Sequence, residues 1–241
     1  MTPFPARFPL LLLFLLPLSI AIPARGADTL VYRGDAVDLK TREPVFTELH
    51  REAVEGGRTL SLRTVYLGPS GDTIAERTLD FTAHPYLPRY HLEDFRTGLL
   101  EEARPEGGAV VVRHRPGRGK PTAEKRVEAP EPSVLDGGFN AFLKARLDEL
   151  GRGGKARFHV VVPSRKTTFR FTAHAEASSE EGTRVLVAEP GNALIRMVAP
   201  RIELLYDAGT RRIKRFRGYS NITRADGTGF QAEVTYAPYG P

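Results

Sequence analysis

Imidazole and carboxylate groups come closest together in His84, His91, Glu93 and Asp94, within the stretch HPYLPRYHLED. Their nitrogens and oxygens suit zinc or a similar ion. The spacing matches no zinc-binding signature, and Pro85 and Pro88 predict an irregular loop that scatters the four groups. No metal and no cofactor is therefore expected. His50, His114, His159 and His174 fall on separate predicted strands, so only the fold could gather them. Nucleophilic catalysis through a Gly-x-Ser-x-Gly elbow has no counterpart here. The closest stretch, Gly218-Tyr219-Ser220-Asn221, lacks the second glycine and a following helix. Glu101-Glu102 and Glu180-Glu181 are adjacent pairs, and neighbours on a strand face opposite ways. Gly151-Arg152-Gly153-Gly154 closes a predicted helix, so its amides aim no dipole at a phosphate. The residues predict a protein that is not an enzyme. A hydrolase whose site assembles from dispersed residues is the less favoured reading.

Two cationic features remain. Arg212, Lys214, Arg215 and Arg217 lie on one predicted strand and form a candidate anion patch for lipid phosphates or a polyanion. The competing reading is a solvated or edge strand whose charges discourage sheet-to-sheet association. Arg146 falls within the apolar arc of a predicted helix, where it would snorkel, pair with a carboxylate or meet a ligand head group.

These side chains need elements to hold them. Turn signals such as Pro69-Ser70-Gly71-Asp72, Pro105-Glu106-Gly107-Gly108 and Asp226-Gly227 recur about every ten residues, as in a meandering antiparallel sheet. Between them the residues alternate. Leu60, Leu62, Thr64 and Tyr66 share one predicted face, as do Ala75, Arg77, Leu79 and Phe81, and Thr167, Phe169, Phe171 and Ala173. About a dozen strands are expected, more than an open twisted sheet carries without curling. One stretch breaks the pattern: Leu135, Phe139, Phe142, Leu143, Leu147 and Leu150 follow helical spacing. They predict one long helix over about 134–150, capped by Ser133 or Asp136 and stopped at Gly151. The segment Pro190–Val198 reads as a second, short helix or a strand.

The predicted fold class is thus α+β, a strongly curved, mostly antiparallel sheet (half-barrel or barrel) wrapped around one long helix. Its concave face and helix nominate Phe139, Phe142, Leu143, Arg146, Phe169 and Phe171 as ligand-contacting residues.

The N-terminus predicts export. Arg7 precedes an uncharged, Leu-rich run from Pro9 to Ile22, and Ala24-Arg25-Gly26 places small residues where a signal peptidase reads. Residues 1–26 are the expected signal peptide, cut before Ala27. The run is shorter than the ~20 residues of a bilayer span and contains Pro17. No second such run follows, so residues 27–241, read as one domain, should carry no transmembrane segment. Cysteine is absent, which rules out disulfides, thiolate metal sites and a lipid-modified cysteine. The formal charge is +6, with 28 arginines against seven lysines, a bias that looks like a GC-rich bacterial genome and makes the destination a periplasm. Nucleic acid is not an expected partner without a basic stripe bearing aromatics.

Tyr66–Phe81 (YLGPSGDTIAERTLDF), Leu135–Leu150 and the LLYD and YSNI stretches of Ile202–Tyr236 resemble an uncharacterised family of secreted proteobacterial proteins. The resemblance implies no activity. The expected architecture is also similar to the half-barrels of periplasmic lipoprotein carriers and lipoprotein-insertion proteins, a likeness of shape. The favoured role is non-catalytic binding of a lipid or other hydrophobic envelope molecule. The alternative is an envelope interaction or structural module docking through a sheet edge or the Arg211–Arg217 strand.

Overall fold

The computed structural model describes residues 29–55, 58–192 and 201–238. The predicted leader lies outside the described residues, as do residues 193–198 of the predicted second helix; Pro190 itself closes a strand.

Among the described residues, fifteen strands form one sheet. They are β1 (Thr29–Asp38), β2 (Pro44–Glu55), β3 (Arg58–Leu67), β4 (Thr73–Asp80), β5 (Arg89–Asp94), β6 (Leu99–Glu106), β7 (Ala109–Arg115) and β8 (Ala123–Glu128). A two-residue β9 (Ser133–Val134) leads into helices α1 (Gly137–Ala145) and α2 (Leu147–Gly151). Then follow β10 (Ala156–Val162), β11 (Thr167–Glu176), β12 (Thr183–Pro190), β13 (Ile202–Asp207), β14 (Ile213–Tyr219) and β15 (Gln231–Pro238). The spatial order runs from β8 back to β1, crosses to β15, and descends to β9. Every ladder is antiparallel except the short β9–β10 pair.

Among the described residues, the two flanks of this sheet come together without hydrogen-bonded closure. Strand β8 contacts β11, and the 3-10 turn at Pro163–Arg165 contacts β6 and β7. The sheet therefore curls like a barrel that is shut by packing and not by a ladder. Its interior divides into two apolar clusters. One gathers Phe46, Tyr66, Leu79, Leu92 and Val112 with Phe230 and Val234. The other gathers Phe142, Leu143, Leu147 and Leu150 with Phe158, Phe171, Leu186 and Leu204. Each such side chain contributes roughly 1.5–3 kcal/mol when fully buried, and Phe216 packs against both groups.

Three expectations need correction. The single long helix is two short ones. Arg146 leaves helical geometry at φ −110°, ψ 11°, and its Nη1 donates to Phe142 O at 3.3 Å, occupying a carbonyl at the helix end. At the other end, Ser133 and Val134 pair with β10, and of the two expected caps it is Asp136 that closes α1. The irregular loop expected from Pro85 and Pro88 is present but confined to residues 81–88: residues 89–94, with His91, Glu93 and Asp94, form β5, paired with β4 and β6. Lastly, β14 lies between β13 and β15, so the basic strand is not at an edge.

Candidate functional site

A row of side chains crosses the inner face of the sheet at one level. The ladders place Tyr32 beside His50, His50 beside Thr64, Thr64 beside Arg77, Arg77 beside Leu92, Leu92 beside Glu101, and Glu101 beside His114. Seven strands thus contribute one residue each, and most of these are polar. The row is possible because period-two alternation keeps equivalent positions on one face when registers match.

Its centre is a continuous hydrogen-bond chain. Arg77 Nη2 donates to Thr64 Oγ1 at 3.0 Å, and Thr64 Oγ1 lies 3.0 Å from His50 Nδ1. His50 Nε2 lies 3.0 Å from Glu48 Oε2. Arg77 can only donate and the Glu48 carboxylate can only accept, so Thr64 Oγ1 accepts from Arg77 and His50 Nε2–H donates to Glu48. Arg77 Nη1 also donates to Asp136 Oδ1 at 2.9 Å, tying β4 to the start of α1. Asn221 Nδ2 reaches Tyr66 Oη at 3.0 Å and Asp136 Oδ2 at 3.3 Å. Asp136 holds φ +45°, a left-handed conformation rare outside glycine, and accepts from Gly137 N at 2.6 Å. Arg77 Nε is buried without a partner among the described residues.

The electrostatics follow from this geometry. Burial pushes the Glu48 carboxyl up, but the His50 hydrogen bond and charge, the field of Arg77 and a Tyr236 hydrogen bond together hold it below the usual range. Burial alone would lower Arg77, and Asp136 with Glu48 more than offsets that. Burial drives the hydroxyls of Tyr32, Tyr66 and Tyr236 upward, so at neutral pH they are O–H groups. Tyr32 stacks on His50 with ring centroids 4.2 Å apart, and Tyr236 meets both edge-on.

This network borders a cavity of about 850 Å³. Phe46, Leu62, Phe81, Phe139, Ile202, Leu204, Phe216 and Val234 line it alongside Tyr32, Glu48, His50, Arg77, Asp136 and Tyr236. The mixture of a largely apolar wall with a few convergent polar groups is what small-molecule sites use.

The row's far end is a second buried polar group. Tyr90 Oη donates to Glu101 Oε2 at 3.0 Å, and His114 Nε2 lies 4.0 Å from Glu101 Oε1. Burial pushes Glu101 up to about 7, against the Tyr90 hydrogen bond. An ordinary carboxyl releases its proton near 4.5. Glu101 therefore contributes stability that is complete below that value and lost as pH rises through about 7, on the order of 3 kcal/mol. His114, lowered by burial and by Lys166, acts in the opposite sense, losing its contribution as pH falls. Glu101→Gln removes the first effect alone. In urea denaturation it should be more stable than the parent by about 2 kcal/mol at pH 8 and no more stable at pH 4. A variant weaker at pH 8 would show that ionised Glu101 is well accommodated.

Of the six residues nominated from sequence, Phe139 alone lines the cavity. Phe142, Leu143 and Phe171 are buried among neighbours in the second apolar cluster, and Phe169 packs against it. Arg146 does not face the cavity; its guanidinium lies 3.7 Å over the Phe142 ring and 5.8 Å from that of Tyr86. In the basic strand, Arg212 and Lys214 line the cavity. Lys214 and Arg215 pair with Glu180 at 3.2 Å each, and Arg217 pairs with Glu203 and Glu233. Arg215 and Arg217 thus do not line the cavity and are engaged in ion pairs, Arg215 with the β11–β12 connection and Arg217 with the neighbouring strands. The metal-like quartet is split: His84 Nδ1 accepts from Tyr86 N and Leu87 N, His91 meets Glu102, and Asp94 is held by Arg96. Among the described residues no cluster of three histidine or acidic side chains could hold a metal ion. Only His50, of the six histidines, lines the cavity.

Sequence reasoning missed Glu48, His50, Arg77 and Asp136. The available signal was polar residues in otherwise apolar faces: Arg77 between Ala75 and Leu79, and Thr64 between Leu62 and Tyr66. Asn221 is engaged with Tyr66 and Asp136.

No family model matches the chain, and no curated protein matches it. Among solved structures it is similar to a β-barrel-like protein of a domain of unknown function, DUF1849, from Brucella abortus. The TM-score is 0.51 at 10% sequence identity, over 88% of this chain and 99% of that one. At that identity the likeness is one of fold: a mostly-β, barrel-like architecture shared with a protein whose own domain has no assigned function.

Proposed function

We propose that residues 27–241 form an exported, non-catalytic binding protein that holds a hydrophobic or amphipathic envelope molecule, such as a lipid or acyl chain, inside the curled sheet. The observation that carries this reading is the cavity of about 850 Å³, a size suited to one small molecule, with phenylalanine and aliphatic side chains over much of its wall. Export rests on the charged, apolar and small-residue pattern of residues 1–26.

Native mass spectrometry of protein purified from the envelope fraction tests both parts together. The expected species begins at Ala27 and carries an adduct that organic solvent removes. Leu62→Asp, which puts a charge into the half-buried wall, should abolish the adduct while the protein stays folded. A mass with the leader intact would count against export. Ligand-free protein that also fails to take up added fatty acid would remove the binding reading.

A further inference from the structure

The cavity wall carries opposite charge at its two levels. Antiparallel order brings the N-terminal end of β14, the β2–β3 hairpin and the N-terminal end of β1 to the same end of the sheet. At that end Arg58, Lys144, Arg211, Arg212 and Lys214 line the cavity and are exposed, so it opens to solvent among them. Only two acids, Glu52 and Asp207, line the same level. Both are engaged locally: Thr59 donates to Glu52, and Thr210 donates to Asp207 through N and Oγ1. Arg211 is paired with Asp148 and Lys214 with Glu180. Arg58 donates to the carbonyls of Phe81 and Thr82, while Lys144 and Arg212 have no ion pair among the described residues. Five cations at the mouth thus meet the four carboxylates of Glu52, Asp207, Asp148 and Glu180, a net positive balance, and Arg58, Lys144 and Arg212 are the three cations outside any ion pair among the described residues. Deeper in, the balance reverses: the Glu48 and Asp136 carboxylates face the single Arg77 guanidinium.

Resting on the binding reading above, we propose that the cavity takes single-chain amphipaths with an anionic head, seated head-outward. The carboxylate or phosphate head would sit between Lys144, Arg212 and Arg58, where exposed cations attract it. The apolar chain would pass the Tyr32–His50–Tyr236 aromatic group toward Phe46 and Val234. An inverted pose would bring the anion against Glu48 and Asp136 in a site of low polarity, where like charges repel strongly. A cavity of this volume matches one chain in preference to two.

Calorimetric titration of the mature protein with four twelve-carbon probes tests the charge preference: laurate, dodecyl phosphate, dodecanol and dodecyltrimethylammonium. Laurate and dodecyl phosphate should bind roughly 10-fold tighter than dodecanol and tighter still than the ammonium, with an advantage that shrinks as salt rises. The ratio of the two anions shows which head group the mouth prefers. Lys144→Glu with Arg212→Glu, both at exposed positions, should erase or invert the order, whereas Lys125→Glu on β8, away from the cavity, should not. Equal binding of all four probes, or preference for the ammonium in the parent, overturns the anionic-head assignment and leaves the cavity reading standing. Failure of every probe to bind removes the cavity reading itself.

Discussion

Gly138→Ala should destabilise the protein by about 3 kcal/mol, read as a lower urea midpoint with an unchanged slope. Helix propensity alone predicts the opposite sign, since alanine is favoured over glycine within a helix by about 1 kcal/mol. The difference is steric. A Cβ on Gly138 would stand 2.0 Å from the carbonyl oxygen of Tyr86 and 2.6 Å from its carbon. That carbonyl cannot swing aside, because it accepts Leu135 N at 2.9 Å. The contact lies where α1 meets the β4–β5 connection, beside the Gly137 approach to Leu79. Relief therefore requires moving the helix start, and with it Asp136. Loss of the Arg77–Asp136 geometry should accompany loss of stability, so ligand binding should weaken too. A stabilised Gly138→Ala would mean that the helix start shifts freely and that the close packing of α1 on Tyr86 is not a constraint.

The second large effect is expected at Arg77. Arg77→Met should cost about 3–5 kcal/mol, because removing one partner of a buried pair leaves the other charge without compensation. Arg77 and Asp136 are about one-tenth exposed, and Glu48 is buried close by. The methionine also deprives Thr64 Oγ1 of its donor and so loosens the chain through His50 to Glu48. Adding Asp136→Asn to Arg77→Met removes the stranded carboxylate and should recover part of the loss. A double-mutant cycle would then give a coupling of roughly 1–3 kcal/mol. Additive effects would show that the two side chains are neighbours without energetic connection. Because the network borders the cavity, the same variants separate stability from binding: a conservative Asp136→Asn should keep the apolar wall while altering the polar floor.

Much of the fold was legible because it is local. Alternation in Leu60–Tyr66, Ala75–Phe81 and Thr167–Ala173 identifies β3, β4 and β11 with their buried faces. Strands β5 and β6 were harder. Pro85 and Pro88 sit just before β5, and Glu101 and Glu102 interrupt β6, so neither offers a clean apolar alternation. The helix was placed correctly and given the wrong length. Apolar spacing continues through Leu147 and Leu150 even though the backbone breaks at Arg146, and both pieces bury the same side chains in one cluster. Periodicity reports which side chains are inward and says little about a single non-helical residue between them.

The candidate site was far less legible. In β2, Val45, Thr47 and Leu49 alternate as plausibly as Phe46, Glu48 and His50. The structure turns the second set inward, burying a carboxylate and an imidazole. Nothing within the strand specifies that outcome. It depends on Arg77 arriving from β4, Thr64 from β3 and Asp136 from the helix start to satisfy those groups. From sequence alone came a cysteine-free, strand-rich chain with an export-like leader and an amphipathic segment after Ser133, because composition and period are properties of neighbouring residues. Only the tertiary structure decided which polar residues share the interior, since strand register and the meeting of β8 with β11 join positions far apart in the chain.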